Sequence, residues 1–401
     1  MRSPKLSGAG GRPAGRLSIR LPCYKQSCLW LFAKGAGCTC QDNSLNSVSR
    51  SVSAYGVNQV FLKQIGADEF VRDSFRPFEA EGIELGRVSF AAHEQYRIYL
   101  ETGECEAVPA GRLRWEQLLP AVGDWVAARP VDPELAWIEA VLPRRTQFSR
   151  QAAGTAVAEQ VLATNIDLVL IVCGLDGDFN LRRLERYLVL AKQSGAQAVV
   201  VLNKLDLSED YREKVEAVEH VAPGAQVLAI SAHRTVQPLE ALVRGRTVAL
   251  LGSSGAGKST IVNLLLRQQS QLTQPVREYD SRGRHTTTSR MLLPLPEGGA
   301  IIDTPGMREL QLWASQESVE QVFQEIAMLA EQCRFGDCSH QNEPACAVRA
   351  ALAAGTLEPA RWESYRKLQR EVRRHQDPLG LKHEWKAIHK AMRQHPKHNR
   401  E

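Results

Sequence analysis

The sequence predicts a multidomain chain: an OB-type β-barrel, a doubly wound α/β domain, and a small α-helical segment that holds a metal. Three observations carry this. Between residues 86 and 148, short alternating apolar runs are separated by turn signals. From residue 166, apolar runs of strand length alternate with helical stripes, and Gly252-Ser253-Ser254-Gly255-Ala256-Gly257-Lys258-Ser259-Thr260 stands where one such run meets a helix. Near the end, Cys333, Cys338, His340 and Cys346 fall within 14 residues.

A chain of 401 residues exceeds the roughly 250–300 beyond which one core stops growing, so several domains are expected. No run reaches the roughly 18 apolar residues of a membrane span. The net charge is +5, but residues 361–401 carry 12 Lys and Arg against 5 Asp and Glu, so the remainder sums to −2. A basic segment of this kind suits a polyanion, nucleic acid before membrane. Nine cysteines are an odd number with no secretory signal, which argues for a reducing, cytoplasmic setting rather than a disulfide framework.

Residues 1–56 are expected to be a disordered extension: the first 41 hold seven Lys or Arg and no acid. Cys23, Cys28, Cys38 and Cys40 form only a loose set there. Residues 57–85 read as a short helical arm, with Val60, Leu62, Ile65, Phe70, Val71 and Phe75 mostly at helical spacing. In 86–148, Arg87-Val88-Ser89-Phe90, Tyr96-Arg97-Ile98-Tyr99-Leu100, Trp125-Val126-Ala127-Ala128 and Trp137-Ile138-Glu139-Ala140-Val141 are the strands of a small barrel. Its 7 basic and 9 acidic residues make it, on charge alone, a weak nucleic-acid binder. Residues 149–165, rich in alanine, read as a linker or short helix.

Residues 166–312 form the α/β domain. Strands are expected at 166–173, 198–202 and 227–230, with helices at 180–194 and 208–221; Leu181, Leu184, Leu188 and Ala191 mark the first helix's buried stripe. Residues 252–259 match G-x-x-x-x-G-K-[ST]. Gly252, Gly255 and Gly257 let backbone N–H groups converge on phosphate oxygens at a helix N-terminus, Lys258 reaches the β and γ phosphates, and Ser259 binds Mg²⁺. Asn203-Lys204-Leu205-Asp206 follows a strand and matches N-K-x-D, in which Asp206 accepts from N1–H and the exocyclic amine of guanine, Asn203 stands near O6 and N7, and the Lys204 stem covers the ring. Ser231-Ala232 ends the next strand beside it. Asp303-Thr304-Pro305-Gly306 matches D-x-x-G, with Asp303 reaching Mg²⁺ through water and the Gly306 N–H touching the γ-phosphate. His285-Thr286-Thr287-Thr288 supplies Thr286 or Thr287 as a Mg²⁺ ligand from the preceding loop.

All five parts of a GTPase are present, but base recognition precedes phosphate binding. Circular permutation, which keeps a sheet and moves the termini, explains the order. The stretch after Gly306 then runs into residues 313–401, read as a helical zinc-binding domain with helices at 359–375 and 381–394 and a basic C-terminus. Cys333-x4-Cys338-x-His340-x5-Cys346 suits one tetrahedral Zn²⁺, and four protein ligands make the site structural. Metal, short helices and positive charge suggest a docking module for RNA or an RNA–protein surface.

The permuted order, Gly-Arg-His-Thr-Thr-Thr at 283–288, Asp-Thr-Pro-Gly-Met-Arg-Glu-Leu at 303–310, Pro-Ala-Val-Gly-Asp-Trp at 120–125 and the Cys/Cys/His/Cys set together resemble the RsgA family of bacterial GTPases that depend on the small ribosomal subunit. The similarity runs from about residue 86 to the end. It implies an OB fold, a permuted GTPase domain and a zinc domain acting, as a cytoplasmic monomer, on the 30S subunit and its 16S rRNA in late maturation.

The reaction expected is in-line attack of water on the γ-phosphate, with Lys258, Mg²⁺ and loop amides offsetting the developing charge. Met307, directly after Gly306, cannot orient that water. His285 is the candidate for the task, and the resemblance points to the same histidine. Two other classes remain in view: a nucleotide-gated RNA-binding module with incidental hydrolysis, and a P-loop kinase or ATPase, against which Asp206 speaks.

Overall fold

The structure, a computed structural model, describes residues 62–92, 95–151, 159–267, 290–303 and 314–376, all within the compact unit Val57–Glu401. The extension 1–56 with its four cysteines, His285, Thr286, Thr287, Gly306, Met307 and the expected helix at 381–394 lie outside the described residues.

Five strands close the barrel: β1 (Glu84–Ala92), β2 (Gln95–Leu100), β3 (Gly103–Pro109), β4 (Trp125–Asp132) and β5 (Leu135–Val141). They pair in the order β1-β2-β3-β5-β4, and β4 returns to β1, so no edge is left within the ring. Alternation drives it: Ala136, Ile138 and Ala140 of β5 point inward and are buried, whereas Trp137 stands 45% exposed. β3 escaped the sequence reading, because Gly-Glu-Cys-Glu-Ala-Val-Pro carries only the small Cys105, Ala107 and Pro109 buried on its inner face. A short helix, α2 (Gly111–Trp115), links β3 to β4; it is preceded, in the N-terminal arm, by α1 (Glu69–Phe75).

The expected linker at 149–165 is corrected: β6 (Gln147–Gln151) and β7 (Glu159–Thr164) form an antiparallel hairpin. Its alanine content suggested a helix, but Phe148, Leu162 and Ala163 must be buried, and Ala163 bridges to Val122 of the barrel. Gly123, at φ +93°, permits this approach; a Cβ there would lie 2.3 Å from the Thr164 carbonyl oxygen.

The α/β domain holds β8 (Leu168–Gly174), β9 (Gln197–Asn203), β10 (Gln226–Ala229), β11 (Thr247–Gly252), β12 (Arg290–Pro294) and β13 (Ala300–Asp303), with helices α3 (Leu181–Ser194), α4 (Tyr211–Val221), α5 (Gln237–Val243) and α6 (Lys258–Leu265). β8 and β11 are buried along their whole length, as central parallel strands require. Asn180 caps α3 by accepting from the Arg183 N–H at 3.0 Å, and Gly195 ends it in the left-handed conformation. The spatial order is β10-β9-β8-β11-β13-β12. The chain thus runs outward from β8 to one edge, returns to β11 beside β8, and fills the other side. The crevice between the carboxyl ends of β8 and β11 is where the direction reverses, and open α/β sheets bind ligands there.

Strand β12 also pairs with the barrel through Phe90↔Met291 and Ala91↔Arg290, so barrel and α/β sheet form eleven continuous strands. Arg87 of β1 locks the junction. Only 1% exposed, it donates to the Ile65 carbonyl of the arm, to the Gly123 and Asn165 carbonyls at 3.4 and 3.3 Å, and to the Thr247 hydroxyl at the start of β11 at 2.8 Å. Burial pushes its guanidinium down to about 10.

Beyond the sheet, α7 (Gln316–Val322) packs on α3, α8 (Gln324–Glu331) packs on α7, α9 (Ala347–Ala354) packs on α8, and α10 (Pro359–Gln376) returns to α3. Arg361 of α10 is buried. It donates to Glu185 of α3 at 2.9 Å, Glu325 of α8 at 2.6 Å and the Val322 carbonyl at 2.9 Å, and lies over the Phe323 ring.

Candidate functional site

Three loops meet at the carboxyl ends of β8, β9 and β11. Asn203, the last residue of β9, is 3% exposed and spends its amide on both neighbours. Its Nδ2 donates to the Ala256 carbonyl in the glycine loop at 3.0 Å, and its Oδ1 accepts from the Ala232 N–H at 3.0 Å. Asn203, the residue expected near O6 and N7 of the base, is fixed at the strand end by these two bonds. It ties base loop, glycine loop and Ser231-Ala232 together.

Asp206 is exposed on the next turn, and its carboxylate accepts from the Ser231 hydroxyl. That bond holds its pKa below the ordinary carboxylate value, so it stays charged at neutral pH. Ser231 and Ala232 are themselves buried. Lys204 adopts φ +65°, and its ammonium pairs with Asp176 at 2.5 Å.

The glycine loop takes its shape from close approaches. Gly252 sits at φ +148°, where a Cβ would be 2.2 Å from the Val172 carbonyl oxygen of β8; at Gly257, φ +98°, it would be 2.1 Å from Asn203 Nδ2. Lys258 opens α6 and donates to the Gly252 and Ser253 carbonyls at 2.7 and 2.5 Å. Ser254 and Gly255 are exposed at the crest, with Ser259 and Thr260 in the first turn of α6. Asp303 ends β13, the strand beside β11. The Ser259 hydroxyl and the Asp303 carboxylate are hard oxygen donors, the kind Mg²⁺ takes.

Asp176 and Asp178 were missed by the sequence reading. Both stand in the loop between β8 and α3, outside every motif the sequence shows. Asp178 accepts from the Ser253 hydroxyl and from Arg183 at 2.7 Å.

The Cys/His set also converges. The donor atoms of Cys333, Cys338, His340 and Cys346 lie within 4.8 Å of one another. Zn–S bonds of about 2.3 Å and Zn–N bonds of about 2.0–2.1 Å in a tetrahedron put sulfurs about 3.8 Å apart and sulfur about 3.6 Å from nitrogen. Cys333 and Cys346 sulfurs are 3.8 Å apart, and His340 Nδ1 is 3.5 and 3.4 Å from them. The donor set therefore fits zinc. His340 reaches it from φ +59°, its ring edge-on to Trp362. Glu343 accepts from the Ser339 hydroxyl and from the Ser339, Gln341 and Asn342 N–H groups, which closes the ligand loop. Of the other cysteines, Cys105 and Cys173 are buried, and burial pushes their thiols up to about 11 and about 12.

An N-K-x-D loop at Asn203–Asp206 that precedes the glycine loop at Gly252–Ser259 in the chain, both on one doubly wound sheet, defines a circularly permuted P-loop GTPase. A barrel and a Cys3His segment are joined to it. A family model described as RsgA GTPase matches residues 141–313. The small ribosomal subunit biogenesis GTPase RsgA of Opitutus terrae is 50% identical over 357 residues, covering 83% of this chain and 97% of that protein. That of Streptomyces coelicolor is 43% identical, covering 79% and 88%. The chain belongs to the RsgA GTPase family and is a GTP hydrolase. Among solved structures, YjeQ from Thermotoga maritima superposes with a TM-score of 0.55 at 28% identity, covering 72% of this chain and 98% of that one. YloQ, titled a circularly permuted GTPase, shares the fold at 22% identity and a TM-score of 0.54, covering 73% and 96%. A second family model, ABC transporter, matches residues 240–394. That span contains the glycine loop, which reads phosphate whatever the base, and excludes Asn203 to Asp206. No helix among the described residues is long and apolar enough to cross a membrane.

Proposed function

We propose that this GTP hydrolase acts on the small ribosomal subunit in late maturation, is stimulated by the 30S particle, contacts its 16S rRNA, and works as a cytoplasmic monomer whose nucleotide state controls release. The observation that carries the reading is the Asn203–Ala256 hydrogen bond. It holds the guanine-reading loop and the phosphate-reading loop on one crevice despite their reversed order. The name of the relatives, small ribosomal subunit biogenesis GTPase, supports the ribosomal partner.

Asp206 selects guanine, with the Lys204 stem over the ring. The amides of residues 253–260 and the Lys258 ammonium bind the β and γ phosphates. Ser259, one of Thr286 and Thr287, and Asp303 through water hold the metal, and the Gly306 N–H meets the γ-phosphate. Mg²⁺, when bound with GTP, offsets charge on the phosphate oxygens. His285 positions the attacking water, because Met307 offers no group for that purpose. The water oxygen bonds to the γ-phosphorus, the bond to the β-bridging oxygen breaks, and GDP and phosphate leave. One Zn²⁺ on Cys333, Cys338, His340 and Cys346 is structural. Strand β12, which follows the His285–Thr288 stretch in the chain, is bonded to barrel strand β1, which supports coupling between nucleotide state and the barrel's docking.

The test is GTP turnover alone and with purified 30S, 50S or 70S particles. Stimulation by 30S alone is expected; equal turnover with all three would overturn the reading. His285→Ala is expected to abolish stimulation while leaving GTP affinity in place, and full stimulated turnover would remove His285 from the mechanism.

A further inference from the structure

We propose that the loop between β8 and α3 is a sixth element of the nucleotide site, in which Asp176 and Asp178 are positioning residues for the base-covering lysine and the phosphate loop. The inference rests on the GTP-binding reading. It adds two residues that lie in none of the five GTPase motifs and precede all of them in the chain.

The loop is built for this. Its start is fastened by the Leu175 N–H, which donates to the Asn203 carbonyl at 2.8 Å, and by Lys214, which donates to the Leu175 carbonyl at 3.0 Å. Asp176 turns back over Gly174, where a Cβ would lie 2.6 Å from its Oδ1. Its other oxygen holds the Lys204 ammonium at 2.5 Å. Lys204 sits in the left-handed region, at φ +65°, which a non-glycine residue keeps only where its surroundings hold it. The ion pair is one such restraint, and it fixes the direction of the stem expected to cover guanine.

Asp178 works on the phosphate side. One oxygen accepts from the Ser253 hydroxyl, and the other accepts from Arg183 in the first turn of α3. Arg183 also donates to the Asp178 backbone carbonyl. The carboxylate is thus neutralised beside a loop that binds anions. Ser253 is the first residue after Gly252, so this bond fixes where the loop leaves the sheet and hence where its amides point. Both carboxylates act through a protein partner, not on GTP, so their effect is on the geometry of the phosphate and base contacts.

Two double-mutant cycles on the full chain test this, read by displacement of a fluorescent GDP and a fluorescent non-hydrolysable GTP analogue. Asp178→Ala and Ser253→Ala are each expected to weaken both nucleotides about tenfold, in the range of one charge-assisted hydrogen bond, and the double variant no further. Asp178→Asn, which keeps an acceptor for the hydroxyl, is expected to recover most of the affinity. Asp176→Ala with Lys204→Ala should behave in the same non-additive way. Losses that multiply to about 100-fold in either double variant, or singles at wild-type affinity, would overturn the proposal. Asp206→Asn serves as the control: if it leaves guanine selectivity unchanged, the GTP-binding reading itself fails. If it shifts selectivity while the cycles are additive, only the present proposal fails. Where Asp178→Ala does not fold, Ser253→Ala decides alone: a loss of about tenfold is expected, and wild-type affinity would overturn the proposal.

Discussion

Asn203 and Ala256, 53 positions apart, are joined by an amide-to-carbonyl hydrogen bond of 3.0 Å. With the bond from the Ala232 N–H to the same side chain, it makes one buried amide the meeting point of three loops. Circular permutation could be tolerated because this contact depends on where strands end, not on the order in which the chain visits them.

Asn203→Ala removes both bonds and leaves the Ala232 N–H and Ala256 carbonyl without their partner. A buried polar group left unpaired costs about 1–3 kcal/mol. GDP affinity is therefore expected to fall at least tenfold, with GTP falling in proportion, by fluorescent-nucleotide titration. Asn203→Asp retains the acceptor but not the donor and should recover only part.

Asp206 should decide the base. Asp206→Asn is expected to lower GDP affinity about 100-fold, the loss of charge-assisted bonds to N1–H and the exocyclic amine, and to raise affinity for xanthosine diphosphate. Competition binding with the two nucleotides checks it.

The same residue has a defined pH behaviour. The Ser231 hydroxyl lowers the Asp206 pKa in the folded chain. A depressed carboxylate adds stability that is present above its unfolded value, about 3.9, and is lost as pH falls through its folded value. The share of GDP affinity that Asp206 supplies should accordingly stay level from pH 8 to about pH 5. Ser231→Ala returns Asp206 toward its ordinary value, so its loss of affinity on acidification should begin at higher pH than in the wild type.

The helical segment is held to the α/β domain by Arg361. Glu185, fully buried, keeps only Arg182 if Arg361 is removed. Arg361→Ala should destabilise the chain by about 3 kcal/mol, as for other broken buried ion pairs. Urea unfolding measures this, and GDP binding under native conditions should be retained, since Arg361 bonds to Glu185, Glu325, Val221 and Val322 and to no residue of the nucleotide site.

Chelation should act locally. One zinc per chain is expected by metal analysis, and Cys346→Ser should lose it. Cys346 also caps α9 through its sulfur, 3.5 Å from the Arg349 N–H. Removal should therefore expose amides near residues 333–355 to hydrogen exchange while those of β8 and β11 stay protected.

The sequence by itself determined the chemistry. Glycines that must take positive φ, a lysine and serine at a helix start, N-K-x-D after a strand and a Cys/Cys/His/Cys spacing are local patterns, legible because each needs only its own few residues. The alternation of β5 and the capped stripe of α3 were legible for the same reason. What only the tertiary structure decided are the relations between distant segments. The strand order places the phosphate strand beside β8, hairpin β6–β7 takes the place of a linker, and β12 is shared with the barrel. Asn203, Asp176, Asp178, Arg87 and Arg361 each act on groups 25 or more positions away in the chain. Nothing in their neighbours along the chain marks such roles, because a buried hydrogen bond depends on packing between elements. Local spacing therefore named the parts of the nucleotide site, and packing decided which residues hold those parts in place.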